Sequence, residues 1–446
     1  MWVMELLVVG RGRQVQDARL VFYTSRFVGQ VAQNLVVAAL FVIVSTGGHA
    51  AMGLTSLLVA SLIPAIAFGL AGGALADRLG PMRGMLAGTF LRVALVLGAF
   101  TAVGSPHAAL VVAFLAATIA QLFNPAEMAL VHTIERQHAG RAHSLLIVLQ
   151  YAGQGVGMLV LAPALYFIAG PAAILAGALV AYVALCGLLF FLSLRISAAA
   201  IGAVAVRHAF SFRTTCRFFL DQPGARYAVV VMALKTTVSR GIVVALPIYL
   251  AQDLDLSKGF LPLVLLPGVA GAVIGLIWCA RTVDVERARD VMRLSVVAMI
   301  VGVFALAVLD YGVEAVAHFS GVAPIAHLEA SMNTTFIIAL PASFVLGLAF
   351  SGALISARVT LTGTAPVGQQ ARIFATQGTL TEALLVLPLL LTGVGTEVVG
   401  ARATLAAIGI VAVLAGLILE LPRFRAFPLV HVAEAIPEPA LGTVDS

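Results

Sequence analysis

The sequence predicts an all-α membrane protein with twelve transmembrane helices, arranged as two pseudo-symmetric six-helix halves. Three observations lead to this prediction: a very apolar composition, twelve apolar runs of spanning length, and positive charge that alternates between successive loops. Apolar residues form 61% of the 446-residue chain and charged residues only 10%. Ordinary soluble domains contain roughly 45–50% and about 25%. A soluble fold could not hide so much apolar surface, so lipid must surround the chain.

The apolar runs are long enough to cross a bilayer as helices. A spanning helix needs about 20 apolar residues, and runs without period-two alternation favour helices over a closed barrel. The predicted spans are residues 21–45, 51–75, 84–104, 108–132, 143–169, 171–193, 226–251, 260–282, 293–312, 335–359, 371–396 and 401–421.

Loop charge predicts the orientation, because cytoplasmic loops collect Lys and Arg. One set of alternate loops holds Arg11, Arg13, Arg19, Arg78, Arg83, Arg136, Arg141, Arg195, Arg207, Arg213, Arg217, Arg281, Arg287, Arg289, Arg358, Arg423 and Arg425. The other set holds only Lys258 and Arg402. We therefore expect a multi-pass protein of the cell (inner or plasma) membrane, with both termini cytoplasmic.

The longest cytoplasmic connection follows the sixth span and divides the chain. We expect a cytoplasmic N-terminal segment at 1–20, without a signal peptide. The N-terminal half covers 21–194, a cytoplasmic linker 195–225 and the C-terminal half 226–421. A disordered cytoplasmic tail at 422–446 completes the predicted organisation. Paired six-helix halves with a solute site between them are a recurring transporter architecture.

Several function classes are disfavoured by the residue pattern. The net charge is +6, but the basic residues lie in short loops rather than on one face, so we expect no nucleic-acid partner. The three cysteines lack metal-ligand spacing, and we expect neither a metal nor a cofactor. No phosphate-binding loop for an ATP-driven pump is present. A membrane-embedded enzyme remains the alternative from a different class.

The connection between the second and third spans carries a motif. It contains Gly73, Asp77, Arg78, Gly80 and, three residues later, Arg83. This pattern resembles the signature loop Gly-x-x-x-Asp-Arg-x-Gly-Arg-Arg of the major facilitator superfamily, although the two positions after Gly80 lack the usual basic residues. The resemblance extends to all twelve spans.

The resemblance implies a secondary transporter that works by alternating access. Asp77 is then expected to meet the N-terminal end of the eleventh helix, whose free backbone N–H groups carry partial positive charge. This contact would latch the two halves on the cytoplasmic side. The segment 122–127 is similar to the macrolide-efflux and lysophospholipid-transporter-like branches, whereas the usual drug:proton antiporter signatures are weak.

Six ionisable residues stand out inside the predicted spans, and because a charge at a helix centre costs about 2.5–3.5 kcal/mol on insertion scales, each is a candidate for coupling or substrate binding. They are Arg26, Arg92, Glu127, Lys235, Arg240 and Glu382. At 1.5 Å rise per residue, Arg240 and Glu382 lie closest to the midplane, and the other four lie within roughly 8–14 Å of the cytoplasmic end.

Two hypotheses follow from these depths. Arg240 and Glu382 pair near the midplane, where a carboxylate that alternates between a cation and an apolar surrounding could bind and release a proton or a cationic substrate. Glu127 neutralises Arg26 or Arg92 nearer the cytoplasm, where structural pairing or snorkelling is the alternative role.

Neutral polar residues in the spans are candidates for the lining of a cavity. They are Gln30, Gln33, Asn34, Gln121, Asn124, Gln150, Gln154 and Gln377. Polar side chains also hold transmembrane helices together, at roughly 0.6–2 kcal/mol each, so each could instead be structural.

The expected function is proton-coupled export, by antiport, of an amphipathic or drug-like compound. An apolar cavity with few charges favours such a substrate over a polar metabolite. Uptake or uniport of a metabolite or lysolipid is the alternative within the transporter class. The expected partners are a small-molecule substrate, a proton or other coupling ion and the lipid bilayer, and we expect a monomer.

Overall fold

The computed structural model describes residues 2–45, 50–134, 139–195, 212–252, 261–309, 324–365 and 370–421. Across these ranges the chain is almost wholly helical and forms no strand. The helices are α1 Trp2–Ser45, α2 Ala50–Leu79, α3 Pro81–Ala99, α4 Pro106–Ile134, α5 Ala139–Gln154, α6 Ala162–Arg195, α7 Phe212–Asp221, α8 Pro223–Gln252, α9 Leu261–Thr282, α10 Ala288–Ala307, α11 Pro324–Thr364, α12 Gln370–Val398 and α13 Ala401–Leu419. A π-helical segment, Gly155–Leu161, joins α5 to α6.

Ten helical stretches of the described chain are long and apolar enough to cross a bilayer. This confirms a multi-pass, all-helical membrane protein. The predicted fourth span lies within α4, Pro106–Ile134, whose part Pro106–Gln121 is apolar, and the total of twelve stays a prediction.

One apolar helical stretch, Val148–Arg195, is 48 residues long and would extend about 72 Å as a straight helix. It bends instead at Ala169 and Gly170, where Gly170 has a φ of 63°. A Cβ placed on Gly177 would lie 2.6 Å from Leu165 Cδ1, so residues on either side of the bend pack together. The chain therefore folds back at Gly170, between the predicted spans 143–169 and 171–193.

Several helices extend past the predicted spans. Helix α1 begins at Trp2 and includes Arg19, and α11 continues beyond residue 359 to Thr364. Arg358 lies inside the predicted span 335–359, but the charge pattern counted it among the loop residues; it is a half-buried residue inside α11, so the loop assignment was wrong. The span boundaries were too short because hydropathy detects only the apolar part of a helix, whereas its backbone hydrogen bonds continue into the polar interface.

The helices pack in two sets of neighbours. Helix α1 packs on α5 and α6, α2 on α4, and α3 on α4 and α6. Helix α8 packs on α11, α12 and α13, while α10 packs on α11 and α13, and α9 on α11. Contacts between the sets are made mainly by α2 against α12 and by α5 against α9.

Helices α9 and α11 approach each other most closely through small residues. A Cβ on Gly347 would overlap the carbonyl oxygen of Gly268, and one on Gly271 would overlap the carbonyl oxygen of Phe344. Ser351 Oγ donates a hydrogen bond of 2.6 Å to the carbonyl of Ala272. Small residues of this kind let helix backbones touch in lipid.

Candidate functional site

A cavity of about 290 Å³ lies among α1, α2, α3, α4, α6, α8 and α12. Helices α1 to α4 each contribute residues spaced three or four apart, which form one continuous stripe on a helix. Helices α6, α8 and α12 contribute one residue each: Tyr182, Arg240 and Glu382. The cavity therefore lies where the two sets of helices face each other.

Small side chains on α4 create much of the space. Four alanines at helical spacing line the cavity, followed along the same stripe by two amides: Ala113, Ala116, Ala117, Ala120, Gln121 and Asn124. Large apolar side chains also line the cavity, among them Phe41 and Leu40 on α1 and Leu57 and Leu58 on α2. Alanines in place of larger side chains leave room for a ligand rather than a filled core.

Three charged residues line the cavity: Arg92, Arg240 and Glu382. Arg240 and Glu382 are both half-buried and, as expected from their depth, lie on one cavity. However, no ion pair or hydrogen bond joins them to each other in the described part of the chain. Arg92, which was predicted to lie nearer the cytoplasm, lines the same cavity as the other two, and its depth stays a prediction.

Arg92 is supported by an aromatic ring. Its guanidinium carbon lies 5.9 Å from the centroid of the Tyr182 ring, within the range of a cation–π contact. Both side chains are buried, with exposures of 5% and 3%. Sequence reasoning did not single out Tyr182; the available signal was a hydroxyl-bearing side chain within an otherwise apolar span.

Glu382 carries the least satisfied polar atom on the cavity wall. Its Oε2 atom is buried and has no hydrogen-bond partner among the described residues. A buried carboxyl oxygen without a partner is costly, and a cation or a hydrogen-bond donor from a ligand would satisfy it. The position of this carboxyl group is therefore suited to binding something that enters the cavity.

Three of the eight polar residues predicted to line a cavity do so: Gln33, Gln121 and Asn124. Gln30 instead packs against α5, because a Cβ on Gly153 would lie 2.6 Å from Gln30 Cβ. Asn34 donates a hydrogen bond of 2.8 Å from Nδ2 to the carbonyl of Gln30.

The other three predicted residues are also absent from the lining of this cavity. Gln150 and Gln154 are exposed on the α5 helix. Gln377 is buried on α12 and donates a 3.0 Å hydrogen bond from Nε2 to Thr381 Oγ1. Hydropathy gives the depth of a residue but not the face of the helix, which explains why only part of the prediction holds.

The remaining intramembrane charges have other locations. Arg26 is buried on α1 with an exposure of 6%, and Lys235 is half-buried on α8; neither lines the cavity. The side chain of Glu127 lies outside the described residues, so its proposed pairing with Arg26 or Arg92 stays a prediction.

The connection between α2 and α3 explains one motif residue physically. Gly80 has φ 78° and ψ 154°, a conformation open essentially only to glycine, and Pro81 begins the next helix. Arg83 is exposed. The side chains of Asp77 and Arg78, and the surroundings of Gly73, lie outside the described residues, so the latch predicted for them stays a prediction.

The far end of α2 also meets α12. The backbone N–H of Met52 donates a hydrogen bond of 3.3 Å to Glu397 Oε1. A Cβ on Gly393 would overlap the Thr55 hydroxyl group, so the two helices touch closely there. Contacts of this kind hold α2 against α12 at the end opposite Gly80.

Metal binding has no support in the described residues, which contain no group of three or more His, Cys, Asp or Glu side chains able to hold an ion. The charged groups on the cavity wall are suited to binding a polar or ionic group of an organic molecule. Their apolar surroundings are suited to its hydrocarbon part.

Comparisons with known proteins agree with this geometry. The structure resembles the peptide transporter POT in complex with sulfate, with a TM-score of 0.63, 16% identity, and 89% of this chain and 93% of that chain covered. It also resembles a mutant of the nucleoside transporter NupG, with a TM-score of 0.66, 13% identity and coverage of 90% and 98%. No curated protein sequence matches the chain at a significant level. The Major Facilitator Superfamily profile matches residues 21–342, and the chain therefore belongs to that superfamily of transporters.

Proposed function

We propose that this protein is a proton-coupled secondary transporter that exports a small amphipathic compound by alternating access. The observation that carries the proposal is the cavity between the two sets of helices, with the partnerless Glu382 oxygen on its wall. Transporters of paired helical halves bind their solute at such a place and expose it to one side at a time.

The proposal includes twelve spans in two six-helix halves, α1–α6 and α8–α13. The packing neighbours support this division, because few helix pairs connect the two sets. The fold-back at Gly170 supplies the fifth and sixth spans. In the proposed arrangement both termini are cytoplasmic, and residues 195–225 connect the halves.

The seam between α2 and α12 is the proposed gate. At one end Met52 and Thr55 approach Glu397 and Gly393, and at the other end the motif residues precede the turn at Gly80. We propose that Asp77 and Arg78 latch the seam there, near the N-terminus of α12. Rocking of the halves would break these contacts alternately and open the cavity to each side in turn.

Glu382 is the proposed coupling residue. A carboxyl group on the wall of an apolar cavity can exchange a proton with whichever side of the membrane the cavity faces. Two arginines, Arg92 and Arg240, line the same cavity and supply the positive charges nearest to it along the lining. Because Glu382 and Arg240 come from helices of the same set, a small shift of α12 against α8 is enough to change their separation.

The test is proton flux in liposomes that contain the purified protein and an internal pH-sensitive dye. Amphipathic cations, amphipathic anions and lysolipids are added to vesicles with an imposed pH gradient. We expect substrate-dependent dissipation of the gradient, lost in Glu382→Gln and kept in Glu286→Gln, whose carboxylate is exposed outside the cavity. The sign of the pH change distinguishes antiport from cotransport, and vesicle orientation distinguishes export from uptake.

Three results would contradict the proposal or parts of it. Proton flux that is unchanged in Glu382→Gln would remove the assigned coupling role. Transport of a labelled compound without any proton flux would favour the alternative, uniport of a metabolite or lysolipid. Absence of transport with every compound, despite folded protein, would overturn the transport function itself.

A further inference from the structure

The cavity has a polar end and an apolar end. On α1, Gln33 precedes Leu40 and Phe41 along the lining stripe, and on α3, Arg92 precedes Val96. On α4 the order is reversed: the alanine stripe that starts at Ala113 comes first and the amides Gln121 and Asn124 come last.

The order of polar and apolar residues is opposite along α3 and α4, but the polar residues of both helices lie at the same end of the cavity. Helices α3 and α4 pack side by side and are joined by a short turn that includes the 3₁₀ segment Phe100–Ala102, so they run antiparallel. The start of α3 and the end of α4 therefore lie at the same end of the cavity. Helix α1 runs in the same direction as α3, because the start of α2 lies against the end of α1, where a Cβ on Gly53 would be 2.7 Å from the Val44 carbonyl oxygen, and the turn at Gly80 joins α2 to α3. We call Gln33, Arg92, Gln121 and Asn124 the polar end, and Leu40, Phe41, Val96 and Ala113 the apolar end.

The charged residues of the wall give it a positive charge in either protonation state of Glu382. With Glu382 ionised, Arg92 and Arg240 leave a net charge of +1 on the wall, and with Glu382 protonated the charge is +2. A cleft of one sign with low-dielectric walls concentrates ligands of the opposite sign. A cationic ligand would have to overcome two guanidinium groups to reach one carboxylate.

Arg240 is available for a ligand. It lines the cavity and makes no hydrogen bond or ion pair with another described residue. A guanidinium group can bind a carboxylate, sulfonate or phosphate oxygen pair through two parallel hydrogen bonds. A guanidinium group in an apolar cavity is stabilised when the negative charge of such a ligand group lies beside it.

We propose that the ligand of this cavity is a small amphipathic anion, with an oxyanion head at the polar end, held there by the positive charge of the two lining arginines, and a hydrocarbon body at the apolar end. This inference rests on the proposed transport function and specifies its substrate class. A volume of about 290 Å³ lies at the lower end of the roughly 300–1,000 Å³ typical of ligand pockets. The body should therefore be about the size of a substituted single ring.

The test compares three compounds that share one hydrocarbon body: para-butylbenzenesulfonate, para-butylbenzenesulfonamide and para-butylphenyltrimethylammonium. Binding to the full chain in nanodiscs is measured by calorimetry, with empty nanodiscs subtracted. We expect the sulfonate to bind most tightly and the trimethylammonium compound most weakly. The first and last compounds carry permanent charges, so neither changes its charge with pH.

Variants of the wall should move sulfonate binding in opposite directions. Arg240→Gln lowers the wall charge to zero when Glu382 is ionised and should weaken sulfonate binding by about tenfold or more. Glu382→Gln raises the wall charge to +2 and should tighten it. Lys235→Gln is the matched control, since Lys235 lies on the same helix but away from the cavity, and it should change nothing.

Two further variants separate a charge effect from misfolding. Arg240→Lys keeps the positive charge without the paired donors and should restore part of the affinity. Ala117→Leu narrows the cavity between the polar and apolar ends and should weaken the sulfonate and the sulfonamide alike.

The outcomes for the inference and for transport are distinguishable. Tighter binding of the trimethylammonium compound, or weaker sulfonate binding in Glu382→Gln, would overturn the anionic substrate class while proton-coupled transport of cations could still be observed. Equal sulfonate affinity in Arg240→Gln and Lys235→Gln would also overturn it. Selective sulfonate binding with no movement of any compound across liposomes would support the ligand class and refute the transport function.

Discussion

The close approach of α9 and α11 predicts that Gly347→Ala strongly destabilises the protein. The added Cβ would overlap the carbonyl oxygen of Gly268 and lie 2.7 Å from the backbone nitrogen of Ala272. Both neighbours are backbone atoms of another helix, so no side chain can rotate away. The two helices would have to separate, and the contacts along their seam would weaken together.

The expected magnitude follows from a matched pair. Overpacking of a well-packed interior costs about 1–3 kcal/mol, whereas Gly98→Ala, on α3 with no atom within 4 Å of the added Cβ, should gain about 0.5–1 kcal/mol from helix propensity. The two variants should therefore differ by about 1.5–4 kcal/mol. Gly275→Ala, whose Cβ would be 3.1 Å from Ser351 Cβ, should fall between them.

The assay is reversible unfolding in mixed micelles with increasing SDS, monitored by circular dichroism on the three variants and the original protein. Gly98→Ala should be the most stable variant, Gly275→Ala the next and Gly347→Ala the least stable. If Gly347→Ala unfolds at the same SDS fraction as Gly98→Ala, the helices are not in backbone contact and the reasoning fails.

Three further predictions concern the ends of α2. Gly80→Ala should cost about 1–3 kcal/mol in the same unfolding assay, because its conformation is open essentially only to glycine, although the added Cβ has free space. Gly393→Ala should separate α2 from α12 near Thr55, which cysteine cross-linking across this seam would detect as a lower yield. Glu397→Gln should change unfolding by no more than about 1 kcal/mol, because an amide oxygen can still accept the exposed 3.3 Å bond from Met52 N–H and the charge of an exposed carboxylate contributes about 0–1 kcal/mol.

Each of these has an outcome that contradicts it. Equal stability of Gly80→Ala and the Gly98→Ala control would mean that the turn adopts another conformation. An unchanged cross-linking yield in Gly393→Ala would mean that the seam is not closed in the membrane. A large loss of stability in Glu397→Gln would mean that this carboxylate holds the α2–α12 seam through its charge.

The residues of the cavity were predictable from sequence only in part. Counting residues along each span singled out Arg240 and Glu382 as closest to the midplane, and both line the cavity. Arg92, which the same counting placed nearer the cytoplasm, lines it as well, because packing decides which helix faces form a cavity. Tyr182 was missed for a related reason: its importance lies in its proximity to Arg92, which no spacing within one span can reveal.

The sequence by itself determined that the chain lies in a membrane, that it is helical and, through the motif at Gly73 to Arg83, to which superfamily it belongs. The first two properties follow from composition and run length, because the thickness of the bilayer sets the length of a span and lipid requires a helical backbone. The third follows from a local sequence motif. Only the tertiary structure decided which face of each helix is turned inward, that Gln33 lines the cavity while Gln30 packs on α5, and that Arg240 and Glu382 share a wall without pairing. The reason is physical: in lipid, all faces of an apolar helix are equally soluble. Packing between helices, rather than hydropathy, therefore sets the rotation of each helix about its axis.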